Sequence, residues 1–196
     1  MDLRPAELAD RHVTLMPFDV ARDGADLRAM AEALGSRIET WPYYNPPGDW
    51  IAGWLETLSD RMAAGSLIPF RVSGPDGRFA GLTSYLSPDM ASKNVEIGMT
   101  IYAGDAQGTA INPATKRLLL GHAFDQGAVR VQFNVDQRNT RSQAAVKKLG
   151  AVQEGVLRDN RILPNGFLRS TVVFSILAGE WPAVKAGLDA RLAAFG

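Results

Sequence analysis

The chain has 196 residues, no cysteine, two histidines, and 21 basic residues against 21 acidic ones. That composition excludes disulfides, a thiolate zinc site and a cysteine nucleophile, and leaves too few imidazoles for a histidine-built metal centre. It also lacks the excess of Lys and Arg on which coating of nucleic acid depends.

At 46% hydrophobic, residues 1–196 can bury a sizeable core as a single domain. No apolar run approaches the ~18 residues of a membrane span. The opening "MDLRPAELAD" is polar and acidic, reads as an extension over 1–10, and is no signal peptide. The expectation is a soluble cytoplasmic protein with no metal, nucleic-acid partner or membrane contact.

In chain order, "HVTLMP" (12–17) alternates and stops at a proline, as a strand does. "DGADLRAMAEALGS" (23–36) predicts a helix with a glycine stop. "WPYYNPPGDW" (41–50) is an aromatic, proline-rich loop. From Asp49 to Gly65, apolar residues including Trp50, Trp54, Leu58 and Met62 recur at helical spacing. Strands are expected at 67–73, 78–86 and 94–102, with "SGPDGR" (73–78) as the hairpin turn between the first two. A helix over 107–127 is followed by a buried strand, "RVQFNV" (130–135), and a short helix ending at Leu149-Gly150. Two long strands across 151–179 turn at Pro164-Asn165-Gly166, and 180–196 closes as a helix. Hairpins first and βαβα order afterwards predict a mixed α/β fold. Its sheet is mostly antiparallel, of about seven strands, with helices on both faces. The crossover helix makes strands 94–102 and 130–135 a locally parallel pair.

Two helix starts are unusually polar or small. In "AGDAQGTAINPATKR", Asn112 is a good N-cap, Pro113 suits the first turn, and Lys116 and Arg117 lie one turn in. The small residues before it let an anion approach unpaired N–H groups. In "VDQRNTRSQAAVKKLGAVQEGVLR" (135–158), far more polar groups precede the helix than one cap requires. Each start, taken alone, also reads as an ordinary capped or solvated helix end.

Together these stretches resemble the GNAT family of acetyl-CoA-dependent N-acetyltransferases. The nearest likeness is to its ribosomal-protein-type branch, which acetylates protein N-termini and small amines. The resemblance spans roughly 11–180 and is strongest in "VEIGMTIY", "QGTAIN", "NTRSQAAVKKLGAVQEGVLR" and the last hairpin. It implies that Met99, Thr100 and Ile101 pair with the pantetheine of acetyl-CoA. It implies that Gln107, Gly108, Thr109, Ala110, Ile111 and Asn112 wrap the pyrophosphate, and that Asn139 and Ser142 complete the donor site. Ala110 and Asn112 depart from the small flexible positions usual in that loop. Val146 stands where many members carry a tyrosine that protonates the thiolate, which leaves Ser142 or no side chain for that task.

Acetyl transfer needs a neutral amine, and a carboxylate can take its proton. Glu96 is the first choice as base and Glu154 the second; His122, mid-helix, reads as a surface residue and His12, at a strand start, as structural. Trp41, Tyr43, Tyr44 and Trp50 are expected to wall the acceptor site, or else to serve as core or dimer contact. Arg158, Arg161 and Arg169 surround the final hairpin, as contacts to an acidic acceptor or partner, or as a solvated basic face. The apolar residues Trp181, Val184, Leu188, Leu192 and Phe195 suggest a homodimer, or packing of the last helix on its own sheet. The acceptor is a protein N-terminus or a small-molecule amine, attacked in a ternary complex. The rival reading is a catalytically weak acyl-CoA-binding regulatory module. A nucleotide-phosphate enzyme lacks its G-x-x-x-x-G-K-[ST] loop.

Overall fold

Hairpins organise the first half of the chain. The computed structural model describes residues 1–35, 50–163 and 165–195, with Trp50 described for its backbone alone. Gly77 takes φ 76°, a left-handed turn position that glycine enters freely, and its N–H donates to the Gly74 carbonyl at 3.0 Å. That turn joins β3 (Leu67–Ser73) to β4 (Phe79–Asp89), and β5 (Asn94–Tyr102) follows antiparallel. β2 (Thr14–Pro17) pairs with β3, and a two-residue β1 (Leu8–Ala9) pairs with β2. Within the first ten residues, Leu8 and Ala9 thus add a short edge strand to the sheet. Leu3 is buried, and the Asp2 N–H donates to the Gln126 carbonyl at 3.2 Å.

The second half adds β6 (Arg130–Asp136) parallel to β5 by way of α3 (Ile111–Asp125), then α4 (Thr140–Lys147), β7 (Val152–Ile162) and β8 (Leu168–Leu177). The eight-stranded order is β1-β2-β3-β4-β5-β6-β8-β7, with β5/β6 the one parallel pair. β8 rather than β7 sits beside β6, and side-chain chemistry explains the exchange. β8 carries Val172, Val173, Phe174 and Ile176 and is mostly buried, whereas every residue of β7 is exposed. An apolar strand gains more from a central place, and a charged one blunts the edge.

Helices cover both faces. α1 (Val20–Leu34) and α2 (Trp50–Ala63) pack Leu27, Met30, Trp54 and Leu58 against Leu82, Leu86 and Ile101. α1 begins earlier than its apolar spacing suggests, because Asp19 caps it by accepting from the Arg22 N–H at 2.8 Å. On the opposite face α3, α4 and α5 (Trp181–Ala193) close over Tyr85, Ile97, Phe133 and Phe174. Val184, Leu188 and Leu192 of α5 are buried there, and Trp181 stacks on Phe124 with ring centroids 5.6 Å apart. The apolar stripe that suggested a dimer is thus used within the chain, and Phe195 alone of that set stays exposed, at 44%. No helix among the described residues is long and apolar enough to cross a membrane.

Candidate active site

The sheet opens between β5 and β6. Their pairing covers Asn94–Arg130, Val95–Val131 and Glu96–Gln132, and goes no further. β6 continues to Asp136 in full register with β8, so it is β5 that departs. The departure begins at a bulge. Leu82 faces Ile101 and Ser84 faces Gly98, so Met99 and Thr100 both stand against Thr83. Met99 takes φ 46°, a left-handed conformation that costs a non-glycine residue about 1–2 kcal/mol. The edge of β5 beyond Glu96 therefore presents backbone groups with no strand beside them, in a wedge-shaped cleft.

What holds the bulge lies under the sheet. Thr83 and Thr100 bring their hydroxyls to 2.8 Å. Lys116 Nζ, from α3, donates to Thr100 Oγ1 at 2.7 Å and to Thr83 Oγ1 at 3.3 Å. Lys116 is 6% exposed, and burial pushes its ammonium down to about 7. From sequence, Lys116 and Arg117 lie one turn into the helix and could add positive charge at its start. Instead Lys116 points into the core, and Arg117 pairs with Asp189 of α5.

On the other face, at the closed end of the cleft, Asn134 Nδ2 donates to Glu96 Oε2 at 2.7 Å, bridging the strands where they part. Burial raises the Glu96 pKa; the Asn134 hydrogen bond and the positive charges of Arg161, Arg169 and Arg61 pull the other way without cancelling it. Gly98 leaves room for this carboxylate, since a Cβ there would meet Glu96 Oε1 at 3.2 Å and Leu86 Cδ1 at 2.8 Å. Glu154, the second choice as base, is occupied. It pairs with Arg130 at 2.5 Å and accepts from Ser175 Oγ at 2.7 Å, which together draw its pKa down to about 2. His122 accompanies Tyr85 Oη at 3.2 Å, and His12 accepts from Arg11 Nε at 3.0 Å.

The two helix starts flank the open end. A single 3-10 turn, Gly104–Ala106, leads into the loop before α3. The cap position is Ala110, not Asn112, and it makes no side-chain cap bond. Asn112 lies inside the first turn because Thr109 organises the entry: its hydroxyl donates to the Ala106 carbonyl at 2.7 Å and accepts from the Ile111 N–H at 3.2 Å. Gly108 takes φ 80°. Among the described residues, the backbone N–H groups of Gly108, Thr109, Ala110 and Asn112 donate to no protein acceptor. At α4 the polar residues mostly satisfy one another. Asn139 Oδ1 accepts from the Ser142 N–H at 2.9 Å, and buried Asp136 binds Arg138 at 2.6 Å. Gln143 Nε2 donates to the Gln137 carbonyl at 2.8 Å. Arg141 Nη2 reaches across to Gln107 Oε1 at 2.8 Å, and Gln107 Nε2 donates to the Tyr102 carbonyl at 3.1 Å, so the two starts are tied together. Ser142 is half-buried, and Val146 belongs to the core.

Of the residues singled out in the sequence, Met99, Thr100, Ile101, Gln107–Asn112, Asn139, Ser142 and Glu96 gather around this cleft. Trp41, Tyr43 and Tyr44 lie outside the described residues, as does the side chain of Trp50. Sequence reasoning missed Lys116 as a core group, Arg61, and Asn134. The last had a signal: Arg130, Gln132 and Asn134 alternate with Val131, Phe133 and Val135, which gives this strand one polar face.

Comparison with known proteins agrees with this geometry. The family profile for the acetyltransferase (GNAT) domain matches residues 12–152. A T. thermophilus protein, provisionally called an acetyltransferase, is 36% identical over 98% of this chain and 100% of its own, with a TM-score of 0.84. A GNAT-family protein from Chromobacterium violaceum, assigned as an acetyltransferase, is 28% identical over 93% of this chain and 91% of its own, with a TM-score of 0.84. Mycobacterium smegmatis RimJ, solved in complex with CoA-disulfide, is 25% identical over 95% of this chain and 93% of its own, with a TM-score of 0.74. No curated protein matches the sequence.

Proposed function

The chain belongs to the acetyltransferase (GNAT) family and is an N-acetyltransferase that uses acetyl-CoA; on that premise we propose that it acetylates a primary amine held in the cleft between β5 and β6. The observation that carries the proposal is the wedge itself, an unpaired edge of β5 leading to a loop with open backbone N–H groups. The free edge at Met99–Ile101 suits an amide-containing chain laid beside it as an added strand. The N–H groups of Gly108, Thr109, Ala110 and Asn112 suit a diphosphate. Acetyl-CoA supplies an acyl group activated as a thioester, whose thiol, of pKa ~8.5, departs readily.

The chain's own residues prepare the amine. Glu96, half-buried and tied to Asn134, accepts its proton directly or through one water in this reading. Ser142 is the hydroxyl left to meet the departing thiolate, because Val146 is buried in the core. Direct attack in a ternary complex needs no covalent enzyme intermediate, and the absence of cysteine suits that economy. Within this reading the acceptor is a protein N-terminal amine, as in the ribosomal-protein branch, or a small-molecule amine, and the reaction takes place in the cytoplasm. Within the same reading Trp41, Tyr43, Tyr44 and Trp50 contact the acceptor. A homodimer could use the exposed Val156, Leu157, Ile162, Phe167 and Leu168 of the final hairpin, since Val184, Leu188 and Leu192 of α5 are buried within the chain. Solution scattering at tens of micromolar tests that, a monomeric mass excluding it.

Calorimetry tests the donor site. Acetyl-CoA and CoA should bind on the order of −5 to −8 kcal/mol, and absence of heat and of competition by either would remove the proposal. Thiol release across a panel of amines and short peptides then identifies the acceptor.

A further inference from the structure

The last paired residues of β5 and β6 are Glu96 and Gln132. Two residues further on the same face stand Gly98 and Asn134, where the strands have parted. Asn134 turns back from that opening, and its Nδ2 donates to Glu96 Oε2 at 2.7 Å. The carboxylate in turn leans along β5 over Gly98: a Cβ placed there would stand 3.2 Å from Oε1 and 3.9 Å from Cδ. Gly98 is not among the residues of positive φ, so its backbone does not call for glycine; the space above it does. Among the described residues, Oε1 accepts no hydrogen bond.

The two oxygens of one carboxylate therefore have different surroundings, one tied and one open. A base is useful only while an oxygen stays within about 2.6–3.2 Å of the proton it takes. A glutamate side chain left to rotate spends little time so placed, and a tether on one oxygen removes most of that freedom. The tether also acts on charge. An N–H donated to a carboxylate favours its ionised form, and here it opposes the burial that favours the neutral one. The positive charges of Arg61 on α2, Arg161 on β7 and Arg169 on β8 act in the same direction as Asn134.

We propose that Asn134 is a positioning residue of the transfer reaction: it holds Glu96 by Oε2 at the point where β5 and β6 part, so that Oε1, above Gly98, is the oxygen that takes the proton of the acceptor amine. This rests on the reading of Glu96 as the base and names the group that aims it. The ammonium form of the acceptor gives one proton to Oε1, and the freed electron pair on nitrogen bonds to the thioester carbon. The C–S bond breaks with its pair on sulfur, a second nitrogen proton ends on the thiolate, and Oε1 passes its own proton to water.

Profiles of kcat against pH, taken for the full chain with acetyl-CoA and the fastest acceptor of the amine and peptide panel, test it. Asn134→Leu should lower kcat about tenfold near neutral pH and move the acid limb up by about one pH unit, with acetyl-CoA affinity unchanged. Asn134→Asp keeps the shape but sets a second carboxylate against the first, so the limb should move up further. Asn134→Gln keeps a donor and should recover part of the shift. In a Glu96→Gln background, Asn134→Leu should add nothing to the loss. Should the leucine variant not fold, the aspartate variant carries the test alone. A tie that merely joined the strands would leave the acid limb in place and weaken stability or acetyl-CoA binding instead. An unmoved limb in the Asn134 variants, with a large loss in Glu96→Gln, overturns this role and leaves Glu96 as the base. A wild-type profile in Glu96→Gln, or donor binding without turnover of any amine, overturns both.

Discussion

Each face of β5 meets an ionisable group drawn out of water, and the two are opposites. Glu96 faces the open cleft, is half-buried, and accepts from Asn134. Lys116 reaches the other face from α3, is 6% exposed, and among the described residues donates to the hydroxyls of Thr83 and Thr100. Burial drives both toward neutrality, raising the carboxyl and lowering the amine. Their consequences differ because their surroundings differ. Glu96 borders the wedge between β5 and β6, so under the proposed function its perturbed proton equilibrium would act on the amine. Lys116 is sealed beneath the bulge, so its perturbation is expressed as stability and as the position of Met99 and Thr100. A shifted pKa marks a catalytic group only where something can reach it.

The largest effect expected on this contrast is at Glu96. Glu96→Gln should lower kcat by ~10²–10⁴-fold at neutral pH if the carboxylate is the base. Rising pH should restore part of the rate, more slowly for a lysine-like amine of pKa ~10.4 than for a peptide α-amine of pKa ~7.7–8.0. A pH–rate profile identical to that of the wild type would remove Glu96 from the mechanism. In stability the sign is also set. The folded pKa lies above the unfolded one, so the stabilising contribution is complete below the unfolded value and is lost as pH rises through the folded value. The glutamine variant should therefore gain on the wild type as pH rises past the ordinary carboxylate range.

Lys116→Met should act in the opposite sense. The amine's folded pKa, about 7, lies below its ordinary 10.5, so its contribution is complete above the unfolded value and is lost as pH falls toward 7. Replacement by methionine should stabilise the protein by about 1–4 kcal/mol at pH 6–7, as removal of other buried charges does. That advantage should shrink as pH approaches 10, by at most ~1.4 kcal/mol per pH unit. Urea unfolding at several pH values measures it. If the variant also binds acetyl-CoA more weakly despite being more stable, Lys116 positions the bulge; if binding is unchanged, the two threonines suffice.

Smaller effects are expected at the mouth of the cleft. Asn139→Ala should cost about 0.5–2 kcal/mol of stability through the lost cap, and ~1 kcal/mol of acetyl-CoA affinity if the amide also meets the donor. Asn139→Ser keeps a capping oxygen, so recovery of affinity in that variant would show capping to be the whole role. The smallest change belongs to Ser142→Ala. A thiol of pKa ~8.5 leaves with little help, so kcat should fall only several-fold with affinity nearly unchanged. A fall as large as that of Glu96→Gln would make Ser142 the dominant proton donor.

Much of this molecule was determined locally and could be read from the chain alone. The hairpin at 73–78 follows from turn chemistry, the stop after α1 from Gly35, and the parallel β5/β6 pair from the crossover helix between them. The polar run before α4 is legible too, since Asp136, Asn139 and Gln143 bond to neighbours a few residues away. What needed the tertiary structure depended on partners distant in sequence. Asn112 satisfies the local rule for a cap, yet the 3-10 turn and Thr109 put the cap at Ala110 and start the helix at Ile111. Lys116 has the spacing of a phosphate contact, yet threonines 33 and 16 residues away draw it inward. Asn134 meets Glu96 over 38 residues, and the opposition of Arg161 to Arg169 exists only because a bulge realigns the last two strands. Turns and caps involve backbone groups that cannot move far apart, so short sequence encodes them. The ionisation of a side chain depends on how much water the whole fold leaves around it, and no short segment carries that.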